Sequence, residues 1–353
     1  MARESMTPRE RWQAVLARRT PDRVPMDYWG TVEATDKLMH HLGVGSRWEM
    51  YERLHIDKVV SVAPRYVGPK LPRLQDMYGR RFQWVSYGSG RYRECVNAPL
   101  ARYATVEEIE ASYIWPTVEW FDYSGIRYQV RGNCKQYPVQ GGGSEPFLIY
   151  ADLRGREQAY MDLVLQPELV HYCLDKLFGF AYQNTQRIFE QLPGRIDLSY
   201  VAEDFGGQES LLFSPAVIRE FFIPRMKRMI DLAHDAGVHV FFHSDGAIRK
   251  IIPDMIAAGI DILNPIQWRS PGMERAALKQ DFGAQVVLHG AMDNQYTLPF
   301  GSVQEVEAEV LENLEVLGKG GGYILAPCHN IQAVSPPENI IAMYETGYAN
   351  GWN

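Results

Sequence analysis

His243-Ser244-Asp245-Gly246 is the stretch of this chain best suited to chemistry. An imidazole and a carboxylate two positions apart follow an apolar run at 238–242, so both can turn toward one point. Such a pair can bind a divalent metal or move a proton. The plainer alternatives are a buried, hydrogen-bonded strand histidine and an Asp245 that caps the helix in AIRKIIPDMIAAG. Pro327-Cys328-His329-Asn330 is the second candidate. Cys328 and His329 are neighbours, so the alternation of a strand aims only one of them at a shared point. Glu203-Asp204 offers two carboxylates, one suited to a ligand and one to acid–base work or substrate anchoring. His289, before Gly290, offers a further imidazole at what reads as a strand end.

A repeated unit positions these residues. Eight short apolar runs cover the chain, at 24–29, 58–63, 137–140, 196–202, 238–242, 261–264, 285–288 and 323–326, each followed by polar or glycine residues and a helix signal. Near-continuous apolar runs suit parallel strands covered on both faces. Eight units without a GxGxxG after the first predict an α/β fold of the closed (β/α)8 TIM-barrel type. In that fold the chemistry gathers where the strands end. Glu203, Asp204 and His289 are then the expected catalytic groups. Asp27, Tyr28, Trp29, Asn264, Gln267 and Asn330 are the expected substrate-binding groups, with Arg65 as the one basic residue close behind the second run. Tyr28, Trp29, Phe205 and Trp268 could line an apolar pocket or belong to the core. Gly141-Gly142-Gly143 lacks the Lys-Ser/Thr of a phosphate loop and reads as a tight turn.

Helix signals fill the intervals. Thr7-Pro8-Arg9-Glu10 and Ser335-Pro336-Pro337-Glu338 read as capping boxes. Pro224 should kink or split the 214–236 helix, with Gly237 as its stop. The interval between the second and third runs is the longest. Residues 66–132 read as an insertion carrying a β-hairpin around Gly88-Ser89-Gly90, laid as a lid over one end of the barrel. Residues 1–353 are thus expected to form a single domain.

Composition narrows the class. The 353 residues are 46% hydrophobic, enough for one large core. A net charge of −7 without a Lys/Arg cluster argues against nucleic acid as a partner. No apolar run approaches the roughly 18–20 residues of a membrane span. MARESMTPRERWQAVLARR lacks the apolar region of a signal peptide, and Cys95, Cys134, Cys173 and Cys328 form no CxxC pair. A reducing, cytoplasmic setting is the expectation.

The stretches EDFGGQESLLFSP, HSDGAIRKIIPDMIAAGIDILNPIQ and GGGYILAPCHNIQAVSPPENIIAMYE resemble the uroporphyrinogen decarboxylase superfamily, which includes zinc- and cobalamin-linked methyltransferases. The resemblance covers nearly the whole chain. Its decarboxylase branch implies a cofactor-free cleft, with arginines after the first strand and an Asp after the second. Here the first run ends Asp27-Tyr28-Trp29-Gly30, and Pro64 stands where that Asp would fall. The methyltransferase branch implies zinc held by His-x-Cys after the fifth strand and a Cys after the eighth. His243 matches the His, Asp245 takes the place of the first Cys, and His329 that of the second, which favours His329 over Cys328 as the ligand. Glu203 is the additional ligand this implies. Nitrogen and oxygen in place of sulfur leave a harder metal, better suited to polarising an oxygen than to activating a thiol. The resemblance therefore implies a zinc-dependent methyltransferase that takes a methyl group from a methoxylated, aromatic small molecule. The acceptor would be a corrinoid (cobalamin) on a separate carrier protein, since no DxHxxG signature occurs here. The alternatives are a cofactor-free decarboxylase of a tetrapyrrole or smaller acid, and a non-catalytic small-molecule- or corrinoid-binding barrel. A homodimer is a family-level expectation.

Overall fold

The structure, a computed structural model, describes residues 4–88 and 90–353. Seven parallel strands form one curled sheet whose spatial order is their chain order: Val60–Val62, Val139–Ser144, Leu198–Ala202, His239–His243, Ile262–Asn264, Val287–Met292 and Tyr323–Pro327. The first apolar run supplies an eighth stave in looser form. Met26 and Gly30 bridge in parallel to Leu325 and Ile331. On the other side, Asp57 N–H donates to Met26 O. Segment 24–30 therefore lies between the last strand and the chain entering Val60–Val62, and the (β/α)8 TIM barrel closes there. Pro25 has no N–H to give, which keeps this ladder short.

The period of two along each strand divides the core. Inward-facing Leu198, Phe241, Ile262, Val287 and Ile324 pack with Trp12, Val15 and Leu16 from the helix Pro8–Leu16. That helix, opened by the capping box of Thr7 and Glu10, plugs the N-terminal end of the barrel. Outward-facing Val201, Val240, Phe242, Leu263, Leu288 and Leu325 join the larger core beneath the surrounding helices.

Several elements differ from the sequence expectation for identifiable reasons. The seventh run continues to Met292, so His289-Gly290 lies inside a strand instead of ending it. The three glycines are strand, not a tight turn, with a register slip between Gln140 and Gly143. Gly143 has φ +129°, and a Cβ there would stand 2.0 Å from Tyr200 O, so only glycine admits this approach. Ser335 caps nothing: Pro336 takes the cap position, which puts Glu338 one residue short of the reach a capping box needs. Pro224 does split its helix. Pro215–Val217 leads into a wide π-type turn over Ile218–Phe222, then Ile223–Asp235, with Gly237 left-handed behind it.

The insertion carries the expected hairpin, Phe82–Ser86 paired antiparallel with Arg91–Cys95. Ser89 at its tip lies outside the described residues. Beside the tip, Tyr87 OH donates to Gln332 Oε1 at 2.9 Å, so the hairpin leans toward the loop after the last strand. No helix among the described residues is long and apolar enough to cross a membrane.

A buried ionic knot ties the plug to the barrel. The fully buried Asp57 carboxylate accepts from Arg11 Nη1 (2.5 Å), Arg23 Nη1 (2.8 Å) and Met26 N (2.9 Å). Asp57 O also accepts from Trp12 Nε1 at 2.9 Å. Removing the shared anion leaves two buried guanidinium groups short of counter-charge. Asp57→Ala is therefore expected to lower stability by about 3–5 kcal/mol, read as the shift of the urea unfolding curve. A loss below about 1 kcal/mol, the size of a surface pair, would contradict this.

Candidate metal centre

One step along the strands above the apolar floor, the same inward face carries Tyr200, His243, Asn264 and His289. Polar groups buried inside a barrel must satisfy one another, and these do. His243 Nδ1 meets Asn264 Oδ1 at 2.6 Å. Asn264 Nδ2 meets His289 Nδ1 at 2.7 Å, and His289 Nε2 meets Asp27 Oδ2 at 3.3 Å. Trp29 Nε1 donates to the same Asp27 oxygen at 2.8 Å, and Lys58 Nζ stands 3.5 Å from the other. An amide oxygen accepts and an amide nitrogen donates. His243 therefore carries its proton on Nδ1 and His289 on Nε2. Burial opposes the Asp27 anion, but Lys58 and the hydrogen bonds from His289 and Tyr28 N–H outweigh it and hold its pKa at about 2. Burial depresses the pKa of His289 and keeps it neutral.

The tautomer leaves the His243 Nε2 lone pair facing the mouth. Asp204 Oδ1 lies 3.9 Å from Nε2 and Asp245 Oδ1 4.0 Å. His329 Nε2, from the loop after the last strand, lies 3.8 Å from Asp245 Oδ2. One ligand atom each from His243, Asp245 and His329 falls within 4.8 Å of the others. Asp245 Oδ1 is enclosed and has no hydrogen-bond partner. A buried carboxylate oxygen without a donor is costly and marks a place for a cation. Zinc binds N and O ligands at about 2.0–2.2 Å, so two ligands at a tetrahedral angle stand about 3.3–3.6 Å apart. The three side chains would hold such an ion after drawing together by up to about 1 Å. Burial, aided by the charge of Asp204, outweighs His243 and His329 and raises the pKa of Asp245.

The other expected residues separate into groups. Asp245 does not cap a helix, because the next helical turn begins only at Arg249 behind Ile248. Glu203 stays outside the three-residue cluster. It is buried, and its carboxyl accepts from Phe147 N at 3.0 and 3.2 Å. Burial, with the nearby Glu145 and Asp204, pushes its pKa well above the usual carboxylate range. Cys328 is turned into the core and donates from Sγ to Ile266 O at 3.2 Å, so of the adjacent pair it is His329 that joins the cluster. Trp29 and Asn330 line a cavity of about 250 Å³ with Asp27, Tyr200 and Phe241, and both Trp29 and Tyr200 lie against the His243 ring. Gln267 Oε1 accepts from Gly246 N at 2.8 Å and fixes the His243–Gly246 turn. Tyr28 is core, with its hydroxyl on Thr35. Phe205 packs among Phe213, Phe222 and Phe242. Trp268 donates to Glu309 and lies under Arg275, so neither Phe205 nor Trp268 forms a pocket wall at the centre. Arg65 is exposed and paired with Asp122 at 2.9 Å.

Glu145 was missed in the sequence. It directly follows the strand Val139–Ser144. Burial first, then the charges of Asp204 and Asp245, raise its pKa against His243. Running the third strand through the glycines would have placed it on the rim.

Residues 119–349 match the family model described as uroporphyrinogen decarboxylase (URO-D). Curated relatives include the uroporphyrinogen decarboxylase of Anaeromyxobacter dehalogenans (strain 2CP-C), 25% identical over 234 residues that make up 65% of this chain and 63% of the relative. That of Nitrosomonas europaea is 25% identical over 218 residues, 60% of this chain and 55% of the relative. The chain thus spans less than two thirds of the length of these curated relatives. Among solved structures, a methyltransferase from Methanosarcina mazei shares the fold, with a TM-score of 0.71 over 98% of this chain and 99% of that one at 19% identity.

Glu203 gives the site a pH signature. Its folded pKa lies above the unfolded value of about 4.3, so the native state binds the extra proton. The stability this contributes is present at low pH and is lost as pH rises from the ordinary carboxylate range through the raised value. Glu203→Gln keeps an acceptor for Phe147 N–H and removes the titration. Its stability relative to wild type is expected to grow with pH in urea unfolding measured from pH 5 to 9. Parallel pH profiles for the two proteins would refute the assignment.

Proposed function

We propose that this chain, which belongs to the uroporphyrinogen decarboxylase (URO-D) family, is a zinc-dependent methyltransferase. It would move a methyl group from a methoxylated aromatic small molecule to a corrinoid on a separate carrier protein. The observation that carries the reading is the convergence of His243, Asp245 and His329 at the barrel mouth around an enclosed, unpartnered Asp245 oxygen. Three N/O ligands on one side of a site, with the other side open, are the donor set of a catalytic zinc and not of a structural one.

A zinc ion held by these three would polarise the ether oxygen of the donor as a Lewis acid. The protein's own residues do the remainder. Asn264 holds the His243 ring so that Nε2 needs no reorientation. Trp29 stacks on that ring and Tyr200 lies tilted against it, which holds its orientation. Glu145 holds a proton at the mouth because burial raises its pKa. As the methyl–oxygen bond breaks and the methyl passes to the corrinoid, that proton can go to the departing oxygen.

The charge of the mouth favours a neutral donor over decarboxylation of a tetrapyrrole. Asp204 stands beside the cluster there, and a substrate bearing several carboxylates would meet its charge. Arg65, the basic residue nearest the second strand's end, is engaged with Asp122.

The purified protein is expected to bind about one zinc ion per chain, by elemental analysis and chelator competition. His243→Ala and His329→Ala should each lose that binding, and Cys328→Ser should keep it. Stripping the metal is expected to slow methoxyaromatic consumption with a corrinoid carrier at least about a hundredfold, equivalent to roughly 3 kcal/mol, with recovery on zinc addition. Full turnover by metal-free protein would sink the mechanism.

A further inference from the structure

A cavity of about 590 Å³ adjoins the candidate metal centre on the side of the insertion. That volume lies within the roughly 300–1,000 Å³ of small-ligand sites. The helix Pro167–Gln191 contributes Leu177 and Phe180 to its wall, and the helix Pro146–Arg154 contributes Ile149. The insertion contributes Leu71, Met77 and Phe121, together with Asp76 and Arg80, which neutralise each other in an ion pair at 2.8 Å. Phe121 and Phe180 stand 5.8 Å apart and tilted, and Tyr66 meets Phe121 edge-on at 5.5 Å, so two sides of the cavity are aromatic.

Its floor is the strand end Gly143-Ser144-Glu145. Ser144 is only 7% exposed, and its Oγ has no hydrogen-bond partner. A buried hydroxyl left unpaired is unfavourable, and rotation of the Ser144 side chain toward the cavity would let a ligand there supply its partner. The sheet register gives the distance to the metal centre. Ser144 pairs with Val201, and the next residue along, Ala202, pairs with His243. Two strand spacings, about 10 Å, therefore separate the backbone at Glu145 from that at His243. A ring and its substituent span such a gap.

We infer that this cavity seats the methyl donor's ring: a planar, apolar aromatic with one hydroxyl or carbonyl group on Ser144 Oγ and its methoxy group directed past Glu145. The direction of the methoxy group rests on the proposed methyl transfer; the seating of the ring does not.

The probe is 4-methoxyphenol, titrated calorimetrically into the full chain with and without zinc, with glycine betaine as a methyl donor that has no ring. Saturable binding of 4-methoxyphenol in both metal states, and none of betaine, is expected. Ala181 lies on the same helix wall as Leu177 and Phe180, so Ala181→Trp fills the cavity and is expected to weaken binding at least about tenfold, the scale of a misfitted apolar pocket. Ser144→Ala removes one oxygen and is expected to weaken it roughly fivefold. Zinc content and circular dichroism should be unchanged, and Ser144→Ala guards against a folding defect in the tryptophan variant. Equal binding by wild type and both variants would overturn the inference. So would the absence of 4-methoxyphenol binding at millimolar concentration to a protein that holds zinc, and that result would leave the metal centre standing. Binding as expected without methyl transfer to a corrinoid would support the cavity and remove the proposed reaction.

Discussion

Buried inside the barrel, Asp27, His289, Asn264 and His243 spend their hydrogen-bonding capacity on one another. The order of the row leaves one solution. An anion at Asp27, held by Lys58 and Trp29, takes the His289 Nε2 proton. His289 Nδ1 then accepts from the amide of Asn264, whose oxygen accepts from His243 Nδ1. An amide accepts on one side and donates on the other, so Asn264 joins the two histidines in this sense. The consequence at the surface is a His243 Nε2 whose direction and protonation are set from the barrel interior, more than one strand away.

This row rests on an apolar layer. Leu198, Phe241, Ile262, Val287 and Ile324 fill the barrel below it and are closed off by Trp12, itself tied to the Asp57 knot. Stability is concentrated at the N-terminal end and chemistry at the other, because each strand repeats its inward face every second residue. The position after an apolar floor residue is out of the barrel, and the next one is back inside it. A polar residue there is either paired within the row or aimed at the mouth.

That arithmetic also explains what could be read from the sequence. The apolar runs announced eight staves, and their ends pointed to His243, Asp245 and the Cys328–His329 pair, because local chain pattern determines both; the choice of His329 within that pair came from the family resemblance. Other features depend on distant chain. Which of the adjacent Glu203 and Asp204 turns inward is decided by Phe147 N–H, 56 residues away. His289 looked like a strand end because glycine follows it, yet Gly290 sits in the strand at φ +115°. Glu145 was hidden behind three glycines that read as a turn. The cavity beside it is built from Leu71, Phe121 and Phe180, which no local pattern brings together.

The carboxylates at the mouth set a charge balance that constrains what enters. Glu145, Asp204 and Asp245 share a site that burial makes hostile to anions, and the pKa values of Glu145 and Asp245 rise accordingly. Such a cluster persists only with bound protons or a bound cation. A metal ion does what a proton would do for Asp245, and it recruits His243 and His329 as well, which a proton on Asp245 cannot. Once that charge is neutralised, a further anion gains little and still faces Asp204, whereas a neutral ring meets mostly aromatic and aliphatic walls beyond Glu145, where Asp76 and Arg80 are paired with each other. Charge at the centre and largely apolar walls in the adjoining cavity thus favour a neutral ring over a polyanion.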